Sequence, residues 1–507
     1  MACDWERAGG AGECYAHSVA GRPSAQWQPL EAHLRAVSGL AERFASAFGS
    51  GAWGRLAGRR AIGGCSGGWR RAFCAGRLAA GPREGHGDVV SPEYGCEREA
   101  MTNLCRRRLL CASALAVGGS LAAAAGPAQE GIRGFDQTET DADKTRPWKP
   151  FSDRKVRVGI AGHGVCQFGL QFGLQHHPNV ELVAVSDLFP DRCADMARKA
   201  RCAKTYPSLE EMVKDARIEA IYCATDAPAH ARHAILCMEH GKHAATAVPA
   251  FRGDIEDAEK LLECCRKNKG LVYAMFETST FRDDLYAMAR LYAAGVFGNI
   301  VYSEGEYCHP HVLGAPTLGS YKDWRKNGCP MWYPTHATAY YVSVTHRSFV
   351  DVSCRGTAPF DPARRVPNAI GNVFNSEVGL FRTAEGGLGR MMVCNSQGEY
   401  LEAGRVRGEY GGYDKTFIGD ATGKKRYDEA VRNGLQLKKG ALPPGVEAGG
   451  HGGSHGYLGD DFIDSILRGR KPAVDVLDAL NMTTPGYYAH LSATKDGETM
   501  KIPQYSL

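Results

Sequence analysis

The sequence predicts an α/β protein: an N-terminal doubly wound parallel sheet, then a C-terminal α+β domain with a large, mostly antiparallel sheet. Three observations predict it. A β-branched run, Lys155 to Ile160, enters the glycine turn Gly162-His163-Gly164. Strand-like and helix-like segments then alternate as far as residue 276. From residue 277 onward, short β-type runs dominate.

Each element follows from local pattern. A second strand, Val180–Ser186, ends at Asp187, about twenty residues beyond the turn. Strand, glycine turn, helix, strand and acidic residue form the dinucleotide-binding (Rossmann) arrangement. Gly162 permits the tight turn, and Gly164 lets the backbone approach a pyrophosphate. The helix expected next would offer free N–H groups to the phosphates. Gln167 stands where a third glycine is usual. Further strands are expected at 218–224, 242–248 and 271–276, with helices at 229–238 and 255–268. The second domain is expected to open with a helix at 285–294. Strands at 300–307, 349–356, 378–383 and 389–395 follow, and helices at 457–468 and 474–489 close the chain. The Gly/Pro-rich stretch 440–454 reads as a mobile loop.

Asp187 can accept hydrogen bonds from both ribose hydroxyls. It would repel a 2′-phosphate by about 4 kcal/mol per pair of unit charges at 4 Å and an effective dielectric of 20. NAD is therefore expected over NADP, with Arg192 softening the preference. In a doubly wound sheet, ligands meet the carboxyl ends of the strands. That selects Val165, Cys166, Thr225, Asp226, Val248 and Pro249, together with His230 one turn on, and Glu277-Thr278.

The chain has 507 residues, 44% hydrophobic and 23% charged, with a net charge of +5. That balance argues for neither nucleic acid nor a membrane surface as partner. Residues 1–100 are rich in Ala, Gly and Arg, show no sustained period, and are expected to be a mis-assigned or disordered extension. Met101 precedes Arg106-Arg107-Arg108-Leu109-Leu110 and an apolar Ala/Gly/Leu run. Residues 101–128 therefore resemble a twin-arginine (Tat) export signal, and a periplasmic or extracytoplasmic location is expected. The run is too weakly hydrophobic for a stable membrane span. Residues 129–152 read as a linker, 153–276 as the NAD-binding domain and 277–507 as the substrate and dimerisation domain. Eleven cysteines follow residue 129, without metal-ligand spacing, and read as small core residues.

Several stretches now point to a family. They are Val158 to Gly164, Gly241-Lys242-His243, Phe297 to Ile300, and the late series Gly469 to Pro472, Asp475, Ala479 to Asn481 and Pro485-Gly486. On these the chain resembles the glucose–fructose oxidoreductase/inositol dehydrogenase (Gfo/Idh/MocA) family over residues 153–495. The resemblance implies bound NAD, a carbohydrate substrate and a homo-oligomer, dimer or higher. It also exposes a departure. Family dehydrogenases carry Glu-Lys-Pro where this chain has Ala247-Val248-Pro249, and valine can neither carry charge nor move a proton. The acidic residue four before the family's active-site histidine is replaced by Trp332. Tyr333-Pro334-Thr335-His336 is similar to a segment of the family's NAD-dependent glycosidases, which also lack the lysine.

His336 and Tyr333 are accordingly expected as the catalytic pair, a neutral imidazole serving as base and Tyr333 sharing the step if its pKa is lowered. Tyr340, one helical turn later, extends their face. Glu306, Tyr307 and His309 are expected to touch substrate from a strand end, and His455 from the glycine-rich loop. His309 and His311 could supply two metal ligands, but no third is identifiable, and no metal is assigned. The expected activity is NAD-dependent oxidation of a sugar or glycoside with tightly held cofactor. Its alternatives are a glycosidase or lyase using transient oxidation, and a non-catalytic sugar-binding member.

Overall fold

The computed structural model describes residues 137–164, 166–310 and 320–507, all within one compact unit, Ser120–Leu507. The extension, the export signal, Val165 and His311 lie outside the described residues.

Six strands form the first sheet: β1 (Val156–Ala161), β2 (Val180–Ser186), β3 (Thr205–Tyr206), β4 (Ala220–Cys223), β5 (His243–Thr246) and β6 (Tyr273–Met275). Their order is β3-β2-β1-β4-β5-β6, and every pair is parallel. The central strands are buried on both faces, as parallel strands covered by helices must be. The helices Pro190–Ala200, His230–Glu239 and Glu256–Lys267 cross between them. The first crossover departs from expectation. Among the described residues no α-helix joins β1 to β2. Two single 3-10 turns, Phe168–Leu170 and Leu174–His176, take its place. Gln167 and Gly173 both adopt positive φ, which breaks a right-handed helical path.

After the helix Asp283–Ala293, eight strands build the second sheet: β7 (Ile300–Cys308), β8 (Phe349–Thr357), β9 (Ser376–Thr383), β10 (Leu388–Cys394), β11 (Leu401–Gly408), β12 (Gly411–Asp414), β13 (Thr416–Gly419) and β14 (Met500–Lys501). The order is β13-β12-β11-β7-β10-β9-β8-β14, with only β7 and β10 parallel. The last four strands, and the helix Ala421–Arg432, were not legible in the sequence. Their glycine- and arginine-rich segments lack clean alternation.

One face of this sheet packs on the helix Thr335–Thr345, all of whose residues are buried. Close approach is built in. A Cβ at Gly305 would lie 2.0 Å from the Ala337 carbonyl oxygen, so only glycine admits the helix there. Two other expectations are corrected. The described part of the expected linker is not free. The Thr138 N–H donates to the Gly449 carbonyl at 2.9 Å, and Trp148 Nε1 donates to Asp460 at 3.0 Å. The stretch 440–454 is likewise no mobile loop, because Val446, His451 and Ser454 are buried within the fold. No helix among the described residues is long and apolar enough to cross a membrane.

Candidate active site

The carboxyl ends of β1, β2, β4 and β5 open onto a cleft of 560 Å³, closed on the far side by residues of the second domain. The glycine turn forms its floor. Gly162 has φ +95°, and a Cβ there would meet the Ala224 carbonyl oxygen at 2.4 Å. Glycine is therefore required where β1 and β4 pass each other. Gly164 has φ +63° with open space where a Cβ would stand, the cradle a close-approaching phosphate needs. Because the described residues behind the turn form 3-10 turns, phosphate recognition would rest on loop amides. Asp187 is already held in place. Its Oδ2 accepts from the His163 N–H at 2.7 Å and the Gly164 N–H at 3.4 Å, and its Oδ1 from the Phe189 N–H at 2.9 Å. An ionised carboxylate has about four acceptor sites, so with three N–H donors in place about one remains for a ribose hydroxyl. Arg192 lines the same end and lies 4.3 Å over the Phe189 ring.

Farther along the cleft come Cys166, Thr225, Asp226 and Val248. Burial pushes the Cys166 thiol above its usual range. The Val248–Pro249 peptide is cis. Pro249 itself does not line the cleft; its carbonyl oxygen lies 2.8 Å from His230 Nδ1, and the Thr225 carbonyl lies 3.2 Å from His230 Nε2. His230 thus ties the ends of β4 and β5 together while lining the cleft. His233 lies 2.8 Å from the Thr225 hydroxyl, and burial lowers its pKa to about 4.

The second domain contributes His336 and Tyr333, whose ring centroids lie 5.5 Å apart, and Tyr307, 4.4 Å from His336. His336 is buried, and its Nδ1 lies 2.7 Å from Glu277 Oε1. Glu277 stands just after β6, so the carboxylate that orients the histidine comes from the first sheet, not from its own helix. Desolvation opposes the imidazolium, yet the Glu277 charge and hydrogen bond outweigh it and the His336 pKa is raised. The expected neutral imidazole is therefore corrected to a more basic one. Glu277 shifts the opposite way. Burial favours its neutral form, but His336 and the Ser279 N–H hold it lowered. Behind the pair, Ser279 Oγ donates to Glu402 at 2.6 Å, and the Tyr400 hydroxyl donates to the same carboxylate at 2.8 Å. Glu277 stood at a strand end that the sequence selects; Ser279, Glu402 and Tyr400 meet only through the tertiary fold.

Four expectations about this side are corrected. Tyr333 keeps its proton, because burial raises its pKa. Tyr340 is core, fully buried against Gly404, where a Cβ would lie 2.2 Å from its ring. Residues four apart share a helix face, but this face runs from the cleft down into the sheet. Glu306 lies on the opposite sheet face, ion-paired with Arg390 together with Glu304, as the alternation that places Tyr307 in the cleft demands. His455 sits one layer behind the cleft: its Nε2 lies 2.8 Å from His451 Nδ1, and its ring is 4.7 Å from Phe172. His451, which sequence reasoning passed over, is the histidine that lines the cleft, stacked 5.8 Å from His336. His309 does line the cleft. The segment around Tyr321, Trp324 and Arg325 completes the wall and carried no motif.

The comparisons agree with this geometry. Residues 156–276 match the GFO_IDH_MocA model, described as the oxidoreductase family with an NAD-binding Rossmann fold. The match covers the first sheet and gives it the description of an NAD-binding Rossmann fold. The chain is similar to glycosyl hydrolase family 109 protein 1 of Bacteroides fragilis, with 36% identity over 169 residues, 30% of this chain and 35% of that relative. The matched stretch thus spans about a third of that relative's length. Similarity to the glycosyl hydrolase family 109 protein of Solibacter usitatus is lower, 24%, but covers 69% of this chain and 88% of the relative. Among solved structures, the WlbA dehydrogenase of Bordetella pertussis, in complex with NADH and UDP-GlcNAcA, superposes with a TM-score of 0.53 at 19% identity, over 70% of this chain and 100% of that one. Scyllo-inositol dehydrogenase of Lactobacillus casei, with bound cofactor NAD(H) and scyllo-inositol, gives 0.52 at 14%, over 69% and 99%. At these identities the solved structures share the fold.

Proposed function

We propose that the chain is an NAD-dependent enzyme of sugar or glycoside chemistry, in which His336 moves the proton of a substrate hydroxyl. The observation that carries this is the buried His336–Glu277 pair at 2.7 Å, whose histidine lines the same cleft as the glycine turn. NAD, when bound, supplies a hydride acceptor that can also return the hydride. Gly162, Gly164 and Asp187 would hold its phosphates and ribose, and Thr225, Asp226 and Val248 its other end. With Nδ1 engaged by Glu277, His336 keeps Nε2 as its basic nitrogen. Glu277 stabilises the imidazolium formed when the proton arrives. Tyr333, kept protonated, donates a hydrogen bond to the sugar.

Val248 in the usual lysine's place, together with the relatives named glycosyl hydrolases, favours a redox-neutral cycle. In such a cycle oxidation labilises the glycosidic bond and the hydride then returns. The test is a panel of nitrophenyl glycosides and free sugars on the purified chain with NAD, read for both NADH and released phenol. Bond cleavage without accumulating NADH is expected. Stoichiometric NADH from a free sugar would make it a net dehydrogenase, and neither signal would remove the enzymatic reading.

We also propose export through residues 101–128, supported by Arg106-Arg107-Arg108-Leu109-Leu110 and the apolar run after them. Replacing the arginines with Lys should then abolish export. Pairing of two copies through the open face of the second sheet is a further part of the proposal. Val378, Leu380 and Leu388 are exposed on that face, apolar area that a second copy would cover. Light scattering at a monomer's mass would contradict it.

A further inference from the structure

A second chamber of 330 Å³ shares Tyr307, Trp324 and Tyr333 with the cleft. Its lining carries four cationic side chains, Arg252, Arg325, Lys326 and Arg364, and no acidic one. Two are accounted for: Lys326 pairs with Asp323 at 2.9 Å and Arg364 with Asp361 at 3.5 Å. The other two line both cavities. Arg325 lies 4.3 Å over the Trp324 ring, and Arg252 lies 5.0 Å from the same ring. Neither is ion-paired with a carboxylate among the described residues. The neighbouring stretch 311–319 contains no Asp or Glu in its sequence.

Arg252 is the more exacting case. Its Nε is buried with no hydrogen-bond partner among the described residues, and its Nη1 reaches only the Asn327 carbonyl, at 3.5 Å. Gly328 makes room for it, since a Cβ there would lie 2.0 Å from Nη2. Burial brings its pKa down to about 10, so the charge is kept at neutral pH against a desolvation cost that no carboxylate among the described residues offsets by ion pairing. Asn375, on the chamber's other wall, buries an Oδ1 that also has no partner among the described residues. Two guanidiniums on one indole and a free amide acceptor describe a site for an oxyanion with a hydroxyl beside it. Planar guanidinium forks match carboxylate, sulfate and phosphate oxygens in pairs.

We propose that this chamber is the subsite for an anionic group, a carboxylate, sulfate or phosphate, borne by the sugar substrate or by the group attached to it, and that Arg252 and Arg325 hold it. This deepens the proposed function and rests on its sugar chemistry. The substrate class becomes acidic glycosides. Asn375 accepts a hydroxyl next to the anion, and Trp324 supplies the apolar floor.

The test uses the full chain saturated with NAD, so that the dinucleotide's own phosphate site is filled. Calorimetric titrations compare glucose with glucuronate, glucose 6-sulfate and glucose 6-phosphate, and inorganic sulfate is titrated alone. At least one anionic sugar should bind ten times more tightly than glucose, with an advantage that shrinks as sodium chloride is added. Arg325→Gln and Arg252→Gln should each reduce anionic-sugar and sulfate affinity at least tenfold. Should Arg252→Gln fail to fold, Arg325→Gln decides. Equal binding of glucose and all three anionic sugars, or unchanged anion affinity in the variants, would overturn the subsite. The two proposals separate cleanly. Sulfate binding that depends on Arg325, with no sugar bound, retains the anion site and removes the sugar reading. Turnover of neutral glycosides with no anion advantage does the reverse.

Discussion

The two sides of the cleft are built on different principles. The cofactor side is made by backbone: Gly162 and Gly164 act through what they lack, and Asp187 is fixed by three backbone N–H groups, one two positions away and two from the glycine turn 23 and 24 positions away. The substrate side is made by side chains from distant parts of the chain, with His336 meeting Glu277 across 59 positions and Ser279 meeting Glu402 across 123. Backbone recognition needs a local pattern, and a local pattern can be read in sequence. Side-chain recognition needs only that the fold bring residues together, and it leaves little trace along the chain.

Substitutions can sharpen or break this contrast. The largest effect is expected from His336→Ala. Losing a positioned base should lower turnover by about 10²- to 10⁴-fold, measured as kcat under saturating NAD. Activity restored in the variant by added imidazole would place the loss at this ring. Glu277→Gln should follow, with turnover down about tenfold and a displaced pH profile. The carboxylate raises the His336 pKa, so wild-type activity should rise with pH through a midpoint above the ordinary histidine value. Removing the charge should move that midpoint down, and an unmoved midpoint would detach Glu277 from the base. The sign for stability follows from the same shifts. The raised His336 contributes below its unfolded pKa and is lost as pH rises through the folded one. The lowered Glu277 contributes above its unfolded pKa and is lost as pH falls through the folded one. The pair therefore supports the fold most between the carboxylate and histidine ranges.

Smaller effects are expected on the cofactor side. Asp187→Asn removes a charge that would face a 2′-phosphate. Measured by fluorescence titration, the NADP-to-NAD affinity ratio should rise about tenfold, a screened fraction of the Coulomb term. Smallest of all should be Tyr340→Phe. Tyr340 Oη is 3.5 Å from Asp284 and the ring is core, so its kcat should stay within about twofold and its stability within about 1 kcal/mol. Tyr333→Phe should cost at least tenfold, because its hydroxyl is argued to meet the sugar. Equal effects from both tyrosines would erase the distinction between cleft and core.

The first sheet was legible almost strand by strand, because buried parallel strands separated by amphipathic helices leave two clear periods. The turn and Asp187 were legible for the same reason. The absent helix after Gly164 was not, since the positive φ at Gln167, a non-glycine, has no sequence signature. In the second domain, His336 and Tyr333 were expected from the family resemblance and Tyr307 and His309 from residue type at a strand end, and all four line the cleft. Helical spacing alone misplaced Tyr340, and a flexible composition misplaced His455, which the fold buries behind His451. Arg252 and Arg325 were missed because a lone arginine looks like surface until the fold shows it lining a cavity.

The most direct test of the division between the two sides is to measure NAD affinity and turnover on two variants together, Gly162→Ala and His336→Ala. A Cβ at position 162 would collide with the Ala224 carbonyl, so that variant should lose NAD affinity at least tenfold. His336→Ala should hold NAD within about twofold of wild type while losing turnover at least a hundredfold. If His336→Ala instead loses NAD as Gly162→Ala does, or turns over normally, proton chemistry does not belong to the second domain and the account fails.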